Sequence, residues 1–513
     1  MPHPSITAET YPHKPAIIMA NSGEMVTYKQ LDERSNQAAH LFRSLGLKSG
    51  DHIGMMLENN RQFLEICYGA QRSGLVFTPV STHLMKEETE YILNNCGAKL
   101  FIGCLGLAEV ASQIAGDTST SIENFLMVDG IKPGFESWEE AVDTQPTTPI
   151  ADESCGVPML YSSGTTGQPK GVFIPPPSDD INEPHPLANT LGAAFGFGEE
   201  TVYLSPAPLY HAAPLHYNMM SIYQGATVVI MEKFEPELAL KLIEQHKITH
   251  SQWVPIMFIR MLKLPAENRE KYDVSSMQFA IHAAAPCPVE IKQQMIDWWG
   301  EVIVEYYAAS EGIGVTIIDS ASWLTHRGSV GPALVGELHV LDDDGNELAV
   351  GETGTIYFGG NENRFEYYDE PGKTSEAYND KGWATTGDVG HIDADGFLYL
   401  TDRKNFMIIS GGVNIYPQEI ENLLVTHDKV ADVAVFGIPH AEFGEAVQAV
   451  VQPMNWGDAT DEVAIELLEW VKERLSKIKV PRALDFTEKL PRMDNGKLYK
   501  RHLVEEYKKR GGS

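Results

Sequence analysis

The stretch Tyr161-Ser162-Ser163-Gly164-Thr165-Thr166-Gly167-Gln168-Pro169-Lys170-Gly171 packs hydroxyls, glycines and a lysine into one continuous segment. Glycines let main-chain N–H groups converge on an anion, the hydroxyls add donors, and lysine adds a mobile positive charge. Charge and hydrogen bonds then act together on phosphate oxygens, so the segment reads as a loop that cradles a polyphosphate. It is not the common nucleotide-triphosphate loop G-x-x-x-x-G-K-[ST]: counting from Gly164, Pro169 stands where the second glycine belongs. A Gly/Ser/Thr run is by composition alone a flexible linker. The fixed order ending in Pro169-Lys170-Gly171 argues against that reading.

The surrounding chain has 513 residues, 43% apolar and 21% charged, the balance of a folded protein of two to four domains. Lys and Arg number 39 against 71 Asp and Glu, for a formal net charge of −32. That charge opposes nucleic-acid binding. An acidic protein that binds anionic ATP must concentrate its positive charge locally, which singles out Lys170, Arg403 and Lys497. Cys67, Cys96, Cys104, Cys155 and Cys287 form no C-x-x-C pair and no zinc spacing. With no secretory signal, no membrane-length apolar run and no peroxisomal tripeptide, a cytoplasmic protein without an integral membrane segment is expected.

Helical spacing after Thr27, then a buried strand over Asp51–Leu57, a helix over Leu64–Gly74 and a strand over Val76–Val80, begin an alternation that recurs across the first 300 residues. It predicts α/β layering with largely parallel sheets. From Gly328 to Leu400 short strands and turn signals predict a small β-rich subdomain. Phe173–Leu187, rich in proline and acid, is expected to be an extended surface loop. Beyond residue 402 the pattern is a compact α+β unit, with a helix over Pro417–Val425, strands near Val430–Phe436 and Ala446–Val451, and a helix over Asp461–Ile478.

The phosphate-loop segment resembles the signature of the adenylate-forming superfamily, which includes acyl-CoA synthetases, nonribosomal-peptide adenylation domains and beetle luciferases; Ser162 replaces the usual threonine and keeps a hydroxyl. Further motifs of that family follow in order, so the resemblance runs from Thr27 to Lys497. It implies a large amino-terminal domain (1–401) of layered α/β subdomains plus a β-rich subdomain, a hinge (402–405) and a small mobile α+β domain (406–513).

The resemblance also implies roles. Ser162, Ser163, Gly164, Thr165, Thr166, Gly167 and Lys170 would hold ATP, with Thr166 in the catalytic set. His211, in Pro208-Leu209-Tyr210-His211, would sit beside the acid's carboxylate; alone, it reads as a hydrogen-bonded core histidine. His282-Ala283-Ala284-Ala285-Pro286 stands where the family has G-G-A-[AP]-P, so Ala283 and Ala284 would border adenine, while Trp253, Met257 and His282 become pocket-wall candidates or ordinary core. In Tyr307-Ala308-Ala309-Ser310-Glu311, Tyr307 would stack on adenine, Ser310 meet the α-phosphate, and Glu311 bind Mg²⁺, for which a carboxylate is a suitable hard ligand. Asp388 of Thr386-Gly387-Asp388 would accept both ribose hydroxyls, supported by Arg403. Asn405 occupies the hinge position commonly held by Asp or Lys. Gly411 and Gly412 would border the thiol tunnel, and Lys497, in Leu490-Pro491-Arg492-Met493-Asp494-Asn495-Gly496-Lys497, would serve the adenylation step.

The expected reaction joins a hydrophobic carboxylic acid to coenzyme A through acyl-AMP, with release of AMP and pyrophosphate. Fatty acid ranks first as substrate, then a steroid side-chain acid or an aryl acid. The rivals are a ligase that passes the acyl group to a carrier protein or another acceptor, and a non-catalytic acyl or nucleotide sensor. No carrier domain follows Lys497 in this sequence, and retention of Lys170, Glu311, Asp388, Arg403 and Lys497 together argues against a sensor. The basic tail, Lys500-Arg501 and Lys508-Lys509-Arg510, reads as a solvated helix face or as a contact for CoA phosphates. Oligomeric state is not legible.

Overall fold

A computed structural model of the chain describes residues 3–117, 120–162, 168–183, 186–360, 364–403, 406–440, 442–492 and 498–510. It is a mixed α/β protein whose contacts divide into two units, the first Met1–Gln252 with Glu270–Ala280 and Asn363–Glu376, the second Trp253–Arg269 with Ile281–Glu362 and Ala377–Ser513.

The first unit carries the parallel layering. Glu136–Ser137, Asn124–Val128, Ala98–Cys104, His52–Met56, Val76–Pro79 and Val157–Pro158 lie side by side in a six-stranded sheet, parallel throughout. Strands covered on both faces read as apolar runs rather than alternating ones. Ile53, Met55 and Met56 are accordingly sealed from solvent. Gly54 is required there, because a Cβ would fall 2.1 Å from Leu93 Cδ2 of the covering helix Lys86–Asn95. Around this sheet Phe101, Met127, Phe135 and Met159 close a buried cluster, each large side chain contributing about 2 kcal/mol on burial. A second parallel set joins Val202–Ser205, Thr227–Ile230 and Pro15–Met19.

The helix expected after Thr27 spans Tyr28–Ser44 and opens on a capping box. Thr27 Oγ1 accepts from Gln30 N at 3.3 Å, and Gln30 Oε1 accepts from Thr27 N at 2.9 Å. Both otherwise orphaned donors of the first turn are thereby satisfied.

In the second unit the sheets are mainly antiparallel. Ile303–Ala308 pairs with Val315–Ile318, which pairs with Ala333–Val335. Glu337–Leu341, Gly354–Gly359, Asp388–Ile392 and Leu398–Arg403 form a four-stranded sheet. Val413–Ile415, Ile408–Ser410, Gly444–Pro453 and Val430–His440 form another, joined in parallel by Ala483–Phe486. Helices Pro417–Leu424, Asp461–Lys472 and Lys500–Arg510 accompany it.

Three expectations need adjustment. The β-rich stretch 328–400 is not one body, because Asn363–Glu376 groups with the first unit and Glu366 and Tyr367 pair with Phe173 and Val172. The helix over 461–478 stops at Lys472: Ile478 is 42% exposed, so burial of its side chain gives little to extend the helix, and Ser476 turns extended before a short 3₁₀ turn. The loop after Phe173 ends sooner than Leu187, because a helix begins at Pro186. A proline in the first turn gives up only an N–H that has no intrahelical partner.

Candidate active site

Among the described residues, Asp388 is a predicted position on which three side-chain donors converge. It opens the strand Asp388–Ile392, and the antiparallel register sets it directly opposite Arg403, the last residue of Leu398–Arg403. Arg403 Nε donates to Asp388 Oδ1 at 3.0 Å. Onto Oδ2 converge the hydroxyl of Thr386 at 2.8 Å and the phenol of Tyr307 at 2.7 Å. Gly387, between Thr386 and Asp388, has φ +81°, a turn that a side chain would strain. Asp388 as a whole is 8% exposed. Tyr307 comes from Ile303–Ala308, its ring 6.1 Å from that of Phe358, and burial followed by the neighbouring carboxylate raises its phenol well above the ordinary value. Asp402 orders the next segment, accepting from Arg403 N at 2.7 Å and from Gln418 N, in the first turn of Pro417–Leu424, at 3.1 Å. An acid at that end of a helix complements its dipole.

Glu311 is buried in the turn after Ala308, while Ser310 is exposed. Ala284 is exposed and adopts φ 74°, the left-handed region that favours glycine; Ala283, at the family's second glycine, is buried.

His282, Trp253 and Met257 lie in the interior, none more than 2% exposed. Trp253 meets Phe258 and Trp299, and His282 stands edge-on to Phe258. Beneath His282 lies a pair that motif reading missed. Lys292 Nζ is 2.7 Å from Glu305 Oε2, with His282 Nε2 3.7 Å from the same oxygen and the Trp323 ring 5.0 Å from the ammonium. Burial and then Lys292 hold the imidazole well below its usual pKa, hence neutral. The sequence signal was weak: Glu305 is the single charge of Ile303–Ala308, but Lys292 shares Val289–Trp299 with Glu290 and Asp297.

Gly411 and Gly412, at φ +58° and +81°, form the tip of the hairpin Ile408–Ser410/Val413–Ile415. Positive φ at both central residues is what a two-residue hairpin loop with the strands' own twist demands. Gly411 N donates to Phe443 O at 2.8 Å, and Ile409 and Val413 stand exposed beside the tip.

In the first unit, Lys170 opens Lys170–Phe173, with Ser162 across the ladder. Its Nζ lies 4.4 Å from the centroid of the Tyr367 ring. His211 precedes the helix Ala212–Tyr223, its ring 4.3 Å from that of Tyr210. Ser163, Gly164, Thr165, Thr166, Gly167, Asn405 and Lys497 lie outside the described residues. The basic tail is corrected at Lys500: it is 6% exposed and bonded to Glu421 at 2.7 Å, so it is neither a solvated cation nor one available to CoA.

Residues 5–368 match the model of the AMP-binding enzyme family and residues 419–497 that of the AMP-binding enzyme C-terminal domain. The chain belongs to the AMP-binding enzyme family. This AMP-binding enzyme is 31% identical to a feruloyl-CoA synthase of an Amycolatopsis species over 96% of either chain. It is 29% identical to a long-chain-fatty-acid–CoA ligase of Mycobacterium tuberculosis, over 98% of this chain and 97% of that one. ATP-bound MatB from Rhodopseudomonas palustris superposes with a TM-score of 0.80 at 27% identity, over 99% of both chains. The AMP-binding enzyme is thus an AMP-forming acid–thiol ligase of the acyl-CoA synthetase type, a class that uses ATP, CoA and a small carboxylic acid. No helix among the described residues is long and apolar enough to cross a membrane.

Proposed function

We propose that the enzyme converts a hydrophobic carboxylic acid, a fatty acid in the first instance, to its acyl-CoA through acyl-AMP. The observation that carries this reading is the convergence of Tyr307, Thr386 and Arg403 on Asp388. A buried carboxylate held in place by neighbouring donors is positioned for a ribose, with one acceptor position still open on Oδ1. Lys170 and the hydroxyls of the glycine-rich loop, Thr166 among them, would hold the phosphates, with Ser310 on the α-phosphate, Tyr307 against adenine and the backbone of Ala283 and Ala284 at its edge.

The acid's carboxylate would attack the α-phosphorus and expel pyrophosphate, with His211 beside the carboxylate and Lys497 stabilising the charge that builds on the phosphate. Among the described residues no group of three or more His, Cys, Asp or Glu side chains is arranged to hold a metal. Magnesium therefore fits as an ion carried by the ATP phosphates with Glu311 as a protein ligand, supplying charge neutralisation there. Rotation of the domain from residue 406 about Asn405, in the hinge 402–405 that follows the domain 1–401, would then exchange Lys497 for the hairpin tip Gly411–Gly412, where a thiolate passes close to bare backbone. CoA thiolate attacks the acyl carbonyl and AMP departs.

The buried, neutral His282 and the Trp253–Phe258–Trp299 aromatics support an acid whose acyl part carries no charge. The feruloyl-CoA synthase likeness favours an aryl acid as the second reading. Unpaired thiols at Cys67, Cys96 and Cys104 support a reducing, cytoplasmic setting. The test is a panel of acetate, octanoate, palmitate, benzoate, ferulate and a steroid carboxylate with ATP and Mg²⁺, with and without CoA, and products identified by mass. Acyl-CoA from an apolar acid supports the reading. Acyl-AMP that persists with CoA present points to another acceptor, such as a carrier protein, and no product with any acid points to a sensor.

A further inference from the structure

A carboxylate offers about four lone-pair positions, two on each oxygen. Among the described residues Asp388 already accepts from Arg403 on Oδ1 and from both Thr386 and Tyr307 on Oδ2. Oδ2 is therefore full, and one position remains, on Oδ1. A ribose cis-diol presents two hydroxyls. On the reading that Asp388 is the ribose carboxylate, the second hydroxyl finds no acceptor unless a donor withdraws.

The three donors are not equally held. Arg403 is locked opposite Asp388 by strand register and carries the compensating charge. Thr386 is two residues from Asp388 in the same tight turn. The Tyr307 phenol is neutral, and it reaches Asp388 from a different sheet, through side-chain torsions that the register of the Asp388 and Arg403 strands does not fix.

We propose that the Tyr307 phenol and one ribose hydroxyl compete for Asp388 Oδ2, so that Tyr307 holds the carboxylate in the nucleotide-free enzyme and is displaced when ATP binds. Tyr307 is then a specificity-setting residue that weakens ATP binding by the hydrogen bond it gives up, while its ring remains available to pack on the base. Phenylalanine keeps the ring and removes the competitor.

The test is calorimetric binding of ATP, 2′-deoxy-ATP and 3′-deoxy-ATP, each with Mg²⁺, to the wild type and to Tyr307→Phe. ATP should bind Tyr307→Phe about fivefold more tightly, the worth of one net hydrogen bond. That gain should vanish with whichever deoxynucleotide lacks the competing hydroxyl. Thr386→Val, which clears the same oxygen from the other side, should shift ATP binding in the same direction and serves if Tyr307→Phe does not fold. Equal or weaker ATP binding by the folded variants, or a gain kept with both deoxynucleotides, overturns the competition. A wild type that binds no adenine nucleotide overturns the adenylation reading itself, and the competition with it.

Discussion

Lys292 on the helix Val289–Trp299 and Glu305 on the strand Ile303–Ala308 form an ion pair at 2.7 Å, with side chains only 1% and 8% exposed. Two strands of consequence depend on it. Glu305 lies two residues before Tyr307 on the same face of its strand, and His282 of the neighbouring motif rests 3.7 Å from its carboxylate. A buried pair adds little over apolar packing, yet removing one partner strands a charge.

Lys292→Met should therefore cost about 3–5 kcal/mol, measured by urea unfolding, and Lys292→Met with Glu305→Leu should recover most of the loss. A single variant as stable as the wild type would contradict the burial of the pair.

Glu65, on the helix Gln62–Arg72, is 3% exposed, and burial pushes its carboxyl up to about 7 against the pull of Arg61 and Arg34. A carboxyl with a raised folded-state pKa gives its full stability below the unfolded value and loses it as pH rises through the folded one. Between pH 4.5 and about 7 this loss is on the order of 3 kcal/mol. Glu65→Gln, which cannot ionise, should thus gain on the wild type by that amount at pH 8 and differ little at pH 4.5. Parallel melting curves would show it, and a mutant offset that does not change with pH would refute it.

Ala284 at φ 74° holds a conformation that costs an L-residue about 1–2 kcal/mol. Ala284→Gly should stabilise the fold by roughly 0.5–1 kcal/mol, once the extra chain entropy of glycine is subtracted. Denaturant titration decides it: destabilisation would mean the alanine methyl is wanted where it is.

At the hairpin tip, among the described residues no atom beyond the chain neighbours lies within 4 Å of a Cβ placed on Gly412, so the positive backbone angle is what disfavours other residues there. Gly412→Val should disturb the tip and slow transfer from preformed acyl-AMP to CoA at least tenfold, about 1.4 kcal/mol, while acyl-AMP formation from ATP stays within twofold. Single-turnover assays of each half-reaction separate the two, and equal loss in both would detach the hairpin from the thiol step.

The parts of the fold readable from residues alone were those set by local chemistry. The spacing after Thr27 announces a helix and the apolar run around Ile53 a buried strand, whereas the Thr27–Gln30 capping box and the Gly411–Gly412 hairpin came with the structure. Family motifs set Arg403 with Asp388 at the ribose and Tyr307 apart from them, at the adenine. Their junction was not legible, because it depends on the register of two strands with a bulge at Val389/Gly390 and on a third strand from another sheet. Long-range burial was equally hidden: Lys500 looked like part of a basic tail until its pairing with Glu421 appeared, and Ile478 looked helical although it stands 42% exposed. Periodicity reports which face could be buried, whereas the partner that buries it is a property of the whole chain.

The most direct test of the central claim follows oxygen. With a carboxylic acid from the productive panel labelled with ¹⁸O, plus ATP, Mg²⁺ and CoA, attack at the α-phosphorus predicts AMP carrying one ¹⁸O for each thioester formed, and unlabelled pyrophosphate. Label in inorganic phosphate alongside ADP, or thioester formed without labelled AMP, would contradict the acyl-adenylate route.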